Sequence, residues 1–344
     1  MTRGFLRALR GEIYAMLHRR SLRLGLVLVV LGVVLQTAWT SLTVGVAAAA
    51  GGGAAQANFW PRFAQAAGFG LGVAELATVI LVGAMLPREI GLGAARDPLV
   101  RGISRTAFVA ARALMALLCP FVLGGAAVLA AAGASAALYD AGHVVSAPFL
   151  LEEDPELQAG FAAWQEESGV RADEVSAWLY LVEEEGIEED AARERLGLPA
   201  FEFPDDYYGQ LPILVFLEEE VAQGVLDGLV HAVLPLAALG LFAFLVSLAL
   251  PTGSLASGLA LVLVVLFSVF LAPEMPDAAA RVFADWLPGL GPDSALALAR
   301  HVADGYTDVM PPDPARVAAG VRATAVSIAL FFFGSLFLFP RRKL

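Results

Sequence analysis

Lysine is almost absent from this chain of 344 residues: Lys343 is the only one, beside Arg341 and Arg342. A P-loop sets its lysine after a glycine-rich turn and before Ser or Thr, so that the ammonium reaches the β and γ phosphates. Lys343 follows Arg342 and precedes Leu344, which excludes that grip on a nucleotide. Any active movement by this chain therefore draws its energy from a partner. Cysteine is as scarce. Cys119 stands alone inside an apolar stretch, so neither an internal disulfide nor a thiolate zinc site can form, and it reads as a small apolar filler. His18, His143, His231 and His301 have no close-spaced histidine or cysteine mates, and no metal site is expected. Charged residues make up only 16%, with a net charge of -12, and no nucleic-acid partner is expected.

Apolar residues are what the chain has in quantity. They fill 58% of it, at a mean hydropathy of +0.71, above the roughly half of a soluble domain. The chain reads as an integral membrane protein. A spanning helix needs about 20 mostly apolar residues to cross roughly 30 Å of hydrocarbon. Six windows meet that criterion: 24–47, 67–86, 107–135, 228–250, 254–272 and 320–339. Runs such as Leu259 to Leu271 lack the alternation of a barrel strand, and backbone groups in lipid must bond within their own segment. The expected fold class is all-α, with six transmembrane helices.

Basic residues collect in short cytoplasmic loops. Arg3, Arg7, Arg10, Arg19, Arg20 and Arg23 precede the first window; Arg88, Arg96, Arg101, Arg105 and Arg112 follow the second; Arg341, Arg342 and Lys343 follow the last. These are 14 of the 22 basic residues, so both termini are expected in the cytoplasm. Of the 34 acids, only Glu12, Glu75, Glu89 and Asp97 fall on that side or in a span. The basic start, its apolar run and the small residues Val46 to Ala50 also imitate a secretory signal peptide. The apolar window exceeds the roughly 7–15 residues of a signal core, and its removal would leave five spans.

Four regions follow. Residues 1–23 form a cytoplasmic interfacial helix, with Phe5, Leu6, Leu9, Ile13, Met16 and Leu17 at helical spacing and Arg3, Arg7 and Arg10 on the opposite side. Residues 24–138 hold the first three spans, with a charged loop over 87–106. Residues 139–226 are an external insertion with acid runs such as Glu152-Glu153-Asp154, Glu183-Glu184-Glu185, Glu188-Glu189-Asp190 and Glu218-Glu219-Glu220. Phe161, Trp164, Val175, Trp178, Leu179, Leu181 and Val182 predict helices there, Asp173 caps one that begins near Glu174, and a loop runs from Pro199 to Pro212. The insertion is either a solvated acidic surface or a negative field that captures a cation or a basic partner, such as an extracytoplasmic protein. Residues 227–344 hold the last three spans and a proline-punctuated external segment, 273–319, with amphipathic pieces at Val282 to Leu287 and Ala295 to Val302 that lie at the outer interface or dip into it. Trp39, Trp60, Trp286 and Tyr306 suit interfacial depth.

The loop after the second span carries Arg88-Glu89, Gly91 and then Gly102-Ile103-Ser104-Arg105 leading into the third span. This pattern, with the interfacial helix, the six spans and the external amphipathic pieces, resembles type-2 ABC transporter permeases, notably the nitrous-oxide-reductase maturation permease group. Gly102 stands where those permeases usually carry proline, and the insertion is larger than theirs. The resemblance covers about 250 residues. It implies an exporter in the inner (plasma) membrane, dimerised with itself or a sister permease and docked on cytoplasmic P-loop ATPase subunits. This chain would bind no cofactor, ATP and Mg belonging to the ATPase. By the same resemblance Arg88, Glu89, Gly91, Arg96, Asp97, Arg101, Ser104 and Arg105 form the ATPase-coupling loop.

Glu75 is the one acid within a span, and an acid in hydrocarbon is a functional candidate by default. It is expected either to face a dimer cavity or to sit beside a structural partner such as Arg112. A secondary transporter or channel is the rival reading, although it would place several ionisable groups at mid-membrane. A non-transporting scaffold that recruits a protein through 139–226 is another. An enzyme is not expected, since no span or loop clusters His, Asp and Ser.

Overall fold

The computed structural model describes residues 2–49, 58–92, 103–142, 144–145, 187–198, 215–271, 282–292, 294–303 and 314–339, with a few positions between 163 and 182. These residues form ten α-helices: α1 (Thr2–His18), α2 (Arg20–Ala49), α3 (Phe59–Gly91), α4 (Arg105–Leu138), α5 (Glu189–Leu196), α6 (Glu218–His231), α7 (Val233–Ala249), α8 (Gly253–Val265), α9 (Ala295–Ala303) and α10 (Pro314–Leu338). The described strands are β1 (Val144–Val145) and β2 (Val215–Phe216), paired antiparallel at the base of the insertion.

Among the described residues, five helices are long and apolar enough to cross a membrane: Arg20–Thr43, Phe59–Gly91, Arg105–Leu138, Glu218–Ala249 and Arg316–Leu338. The window at 254–272 gives the shorter α8, continued by a π-helical turn at Leu266–Leu271. The helices overrun their apolar windows because polar ends are stabilised too. Glu218, Glu219 and Glu220, read in sequence as part of the insertion, occupy the first turn of α6. Acids there meet the positive end of the helix dipole, and Trp60 Nε1 donates to Glu218 at 3.1 Å. At other starts a hydroxyl caps the helix. Ser104 accepts from the Ala107 amide at 3.2 Å, Thr252 from Leu255 at 3.4 Å and Ser294 from Ala297 at 3.1 Å.

α3 is the central helix, packed against α2, α4, α7 and α8. α2 is apolar all round yet buries one stripe, Leu22, Val29, Val33 and Thr37, leaving Leu24, Leu28, Leu31 and Leu35 exposed as lipid-facing side chains would be. Prolines interrupt the bundle at two useful points. Pro120 cannot donate to the Ala116 carbonyl one turn back, and at that carbonyl Gly240 of α7 approaches so closely that a Cβ would lie 2.1 Å from the oxygen. Pro235 likewise leaves the His231 carbonyl without its helical donor, and α6 gives way to α7 at His231 and Ala232.

The segment after α8 does not stay at the end of the bundle. A 3₁₀ turn at Phe283–Trp286 and the following residues run inward, with Phe283, Ala284, Asp285 and Leu287 buried. Ser268 in the π turn donates to the Ala284 carbonyl at 3.0 Å. A Cβ on Gly289 would sit 2.0 Å from the Gly72 amide nitrogen of α3, so glycine is required at this crossing. Of the two amphipathic pieces expected here, the first is this inward turn and the second is α9.

Within the insertion, Val170, Trp178, Leu181 and Ala192 are buried, and Trp178 Nε1 donates to the Glu189 carbonyl at 3.1 Å. α5 ends on Gly197 at φ 69°, a left-handed cap that suits glycine. Asp173, Phe161, Trp164, Val175, Leu179 and the loop from Pro199 to Pro212 lie outside the described residues.

Candidate functional site

α1, the end of α3 and the start of α4 converge at one end of the bundle around four charged side chains. Arg112 lies seven residues into α4 and is 4% exposed. Its Nε and Nη2 both donate to Glu12 Oε1 of α1 at 3.0 Å. Nη2 also pairs with Glu89 of α3, which pairs in turn with Arg19 at the junction of α1 and α2. The Arg112 guanidinium stacks 4.5 Å over the Phe108 ring, and Phe108 packs 5.7 Å from Phe339 at the end of α10. Both ends of the described chain therefore meet at this end.

Two arginines and two glutamates leave the cluster neutral, which offsets part of the cost of burying charge. Removing Arg112, the shared partner, strands buried carboxylates, at about 3–5 kcal/mol. Burial raises the Glu12 carboxyl above the ordinary carboxylate range, against the lowering pull of Arg112. α1 thus has three faces. Ala8 and Glu12 turn to the protein, Leu6 and Ile13 stand exposed on an apolar side, and Arg7 and Arg10 face outward.

Beside the cluster opens a groove of about 550 Å³, floored by Ile80, Leu81 and Met85 and edged by Arg19, Arg20 and Arg88. Arg88, Glu89 and Gly91, expected in a loop, belong to the last turns of α3. Ser104 is the N-cap of α4 and Arg105 its first residue, which gives the end of the sequence motif a local reason: serine satisfies an orphan amide. Arg96, Asp97 and Arg101 lie outside the described residues. Of the expected coupling residues, Glu89 is drawn into the cluster.

Glu75 sits at the middle of α3, sixteen residues from either end, and is fully buried. Its Oε1 accepts from the Gly289 amide at 2.8 Å, with the Leu290 amide beside it. Arg112 is not its partner, contrary to one expectation, because Arg112 lies with Glu12 and Glu89, and Glu89 is about four turns further along α3 than Glu75. An unpaired amide at such depth is costly in a membrane helix bundle, and an acceptor from α3 answers it.

Sequence reasoning overlooked Glu12, Arg19 and Arg112 as a unit. Two signals were present. Glu12 is the only acid in the first 23 residues, and Arg112 is an arginine inside an apolar window. Both say that a partner is needed, and neither says which one.

Fold and cluster together define the class, a multi-pass α-helical membrane protein with a neutral ion-pair cluster where its helix ends meet. No protein-family model, no curated protein and no solved structure matches the chain.

Proposed function

We propose that this chain is the membrane-spanning permease subunit of an ATP-binding-cassette exporter, working as a dimer and energised by a separate cytoplasmic P-loop ATPase that carries ATP and Mg. The observation that carries this reading is the cluster of Glu12, Arg19, Glu89 and Arg112. It fastens α1 to the two helices that flank residues 93–102, so a push on that loop meets a stiff mount and passes into α3 and α4. A loop that served only to fix topology would need no such mount. The groove edged by Arg20 and Arg88 offers exposed charge at the end of α3, as a transient polar interface requires.

In this reading α8 and its π turn, 19 residues together, make the sixth crossing, close to the ~20 a span needs. The arginine-rich end faces the cytoplasm of the inner membrane.

Purification of the tagged chain in mild detergent, with mass spectrometry of co-eluting proteins, tests the proposal. A near-stoichiometric P-loop ATPase is expected, and charge reversal at Arg88 should release it. An extracytoplasmic protein co-eluting in its place would favour a scaffold that recruits through the acidic insertion.

A further inference from the structure

At the end of the bundle opposite the ion-pair cluster, a cavity of about 200 Å³ lies between the α6–α7 break, the inward turn and α10. Its mouth is apolar and open. Val230, Leu234 and Val321 line it and are 67%, 37% and 40% exposed, so it opens on the surface that lipid would cover. The volume falls below the ~300–1,000 Å³ of pockets that enclose a drug-sized ligand. It suits the polar end and first few methylenes of a chain that trails into the bilayer.

The inner wall carries a hydroxyl that the fold leaves unused, and the exposed rim carries a histidine. Some buried hydroxyls in the spans bond their own helix: Thr37 donates to Val33 at 2.9 Å, Ser247 to Phe244 at 2.6 Å and Ser335 to Phe331 at 2.7 Å. Thr78, Ser135 and Thr324 have no such partner among the described residues, and of these three Thr324 lines the cavity. Thr324 is 1% exposed, lines the cavity, and its Oγ1 has no partner among the described residues. Leaving a hydroxyl buried and unbonded is unfavourable, so a ligand that supplies the partner gains from it. His231 lines the same cavity, with Nδ1 2.8 Å from the Asp227 carbonyl. A carbonyl only accepts, so Nδ1 carries a proton, and in the neutral ring Nε2 is the acceptor. Ser294 also lines the cavity, but its Oγ already accepts from the Ala297 amide at 3.1 Å, so the groups left for a ligand hydroxyl are the Thr324 hydroxyl, from which it accepts, and the His231 ring, to which it donates.

Charge decides the class. No Asp, Glu, Lys or Arg lines the cavity among the described residues, so an ionised carboxylate or phosphate would enter without a counter-ion. We propose that this cavity binds an uncharged single-chain amphiphile with a terminal hydroxyl, a monoacylglycerol or long-chain alcohol, taken up sideways from the bilayer. The inference stands on the cavity's chemistry and does not rest on the permease reading.

A monoacylglycerol bearing a diazirine near its head, photolysed with the full chain in phosphatidylcholine vesicles, tests this by peptide mapping. Adducts are expected in 228–235 and 317–324, competed by unlabelled monoacylglycerol and not by oleate. Thr324→Val, which keeps the volume and deletes the hydroxyl, should lower labelling about five-fold. Val321→Phe, at the exposed mouth where a larger side chain meets no core, should lower it to background. Labelling spread along the exposed helix faces and unchanged in both variants would overturn the site. Equal competition by oleate would overturn the uncharged class.

Discussion

At the scale of single residues, two glutamates do different work with the same carboxylate. Glu75 supplies an acceptor to the Gly289 amide in the middle of α3. Replacement by alanine leaves that amide buried and unpaired, at a cost of about 1–3 kcal/mol, whereas glutamine keeps the carbonyl acceptor. Thermal unfolding in detergent should show Glu75→Ala several degrees less stable than wild type and Glu75→Gln nearly equal. Equal loss in both would mean that the charge, and not the acceptor, holds the turn. Glu12 carries a titration. Its folded carboxyl is raised by burial, so the unfolded chain releases that proton first. Stability from this group is complete below the ordinary carboxylate range and is lost as pH rises toward the raised folded value. Melting temperatures of wild type and Glu12→Gln between about pH 4 and 8 should converge at the acid end and separate in favour of the variant as pH rises. A constant difference across that range would contradict the assignment.

Among the elements, the least expected join is α1 to α4 through Arg112. Arg112→Met removes the shared partner of Glu12 and Glu89 and should cost roughly 3–5 kcal/mol, a fall in Tm on the order of 5–15 °C. Combined with Glu12→Gln it should cost less than Arg112→Met alone, by more than Glu12→Gln gains by itself, since the stranded acid is gone; strict additivity would mean that the two side chains act apart. The elements themselves were legible from apolar length. The windows at 24–47, 67–86, 107–135, 228–250 and 320–339 each fall within or across a long helix, because burial of a helical backbone in lipid depends on little besides length and hydropathy. Their ends were less legible. α6 begins at Glu218 through acids that composition assigns to the insertion, and a helix dipole leaves no mark on hydropathy. The π turn at Leu266–Leu271 also has no sequence signature: the run reads as more apolar helix, and only the inward turn opposite explains why Ser268 must face Ala284.

Across the whole molecule, the two polar assemblies lie at different depths and answer different needs. The Glu75 contact lets an irregular turn enter the centre of the bundle, and the ion-pair cluster ties both described ends of the chain to one end of it. Sequence could list the charges and say that Glu75 and Arg112 needed partners. It could not pair them, since Glu75 and Gly289 lie 214 positions apart and Glu12 and Arg112 lie 100 apart. The central claim is that residues 93–102, which join α3 to α4 in sequence, dock a P-loop ATPase. Leu92, 74% exposed at the end of α3, is the point from which to test it. With Cys119, the only native cysteine, replaced by serine, Leu92→Cys would be coupled to a benzophenone maleimide and photolysed in native membranes. The account predicts one dominant protein adduct, a P-loop ATPase, lost when Arg88 is reversed in charge. Adducts confined to lipid, or to proteins without a nucleotide-binding loop, would contradict it.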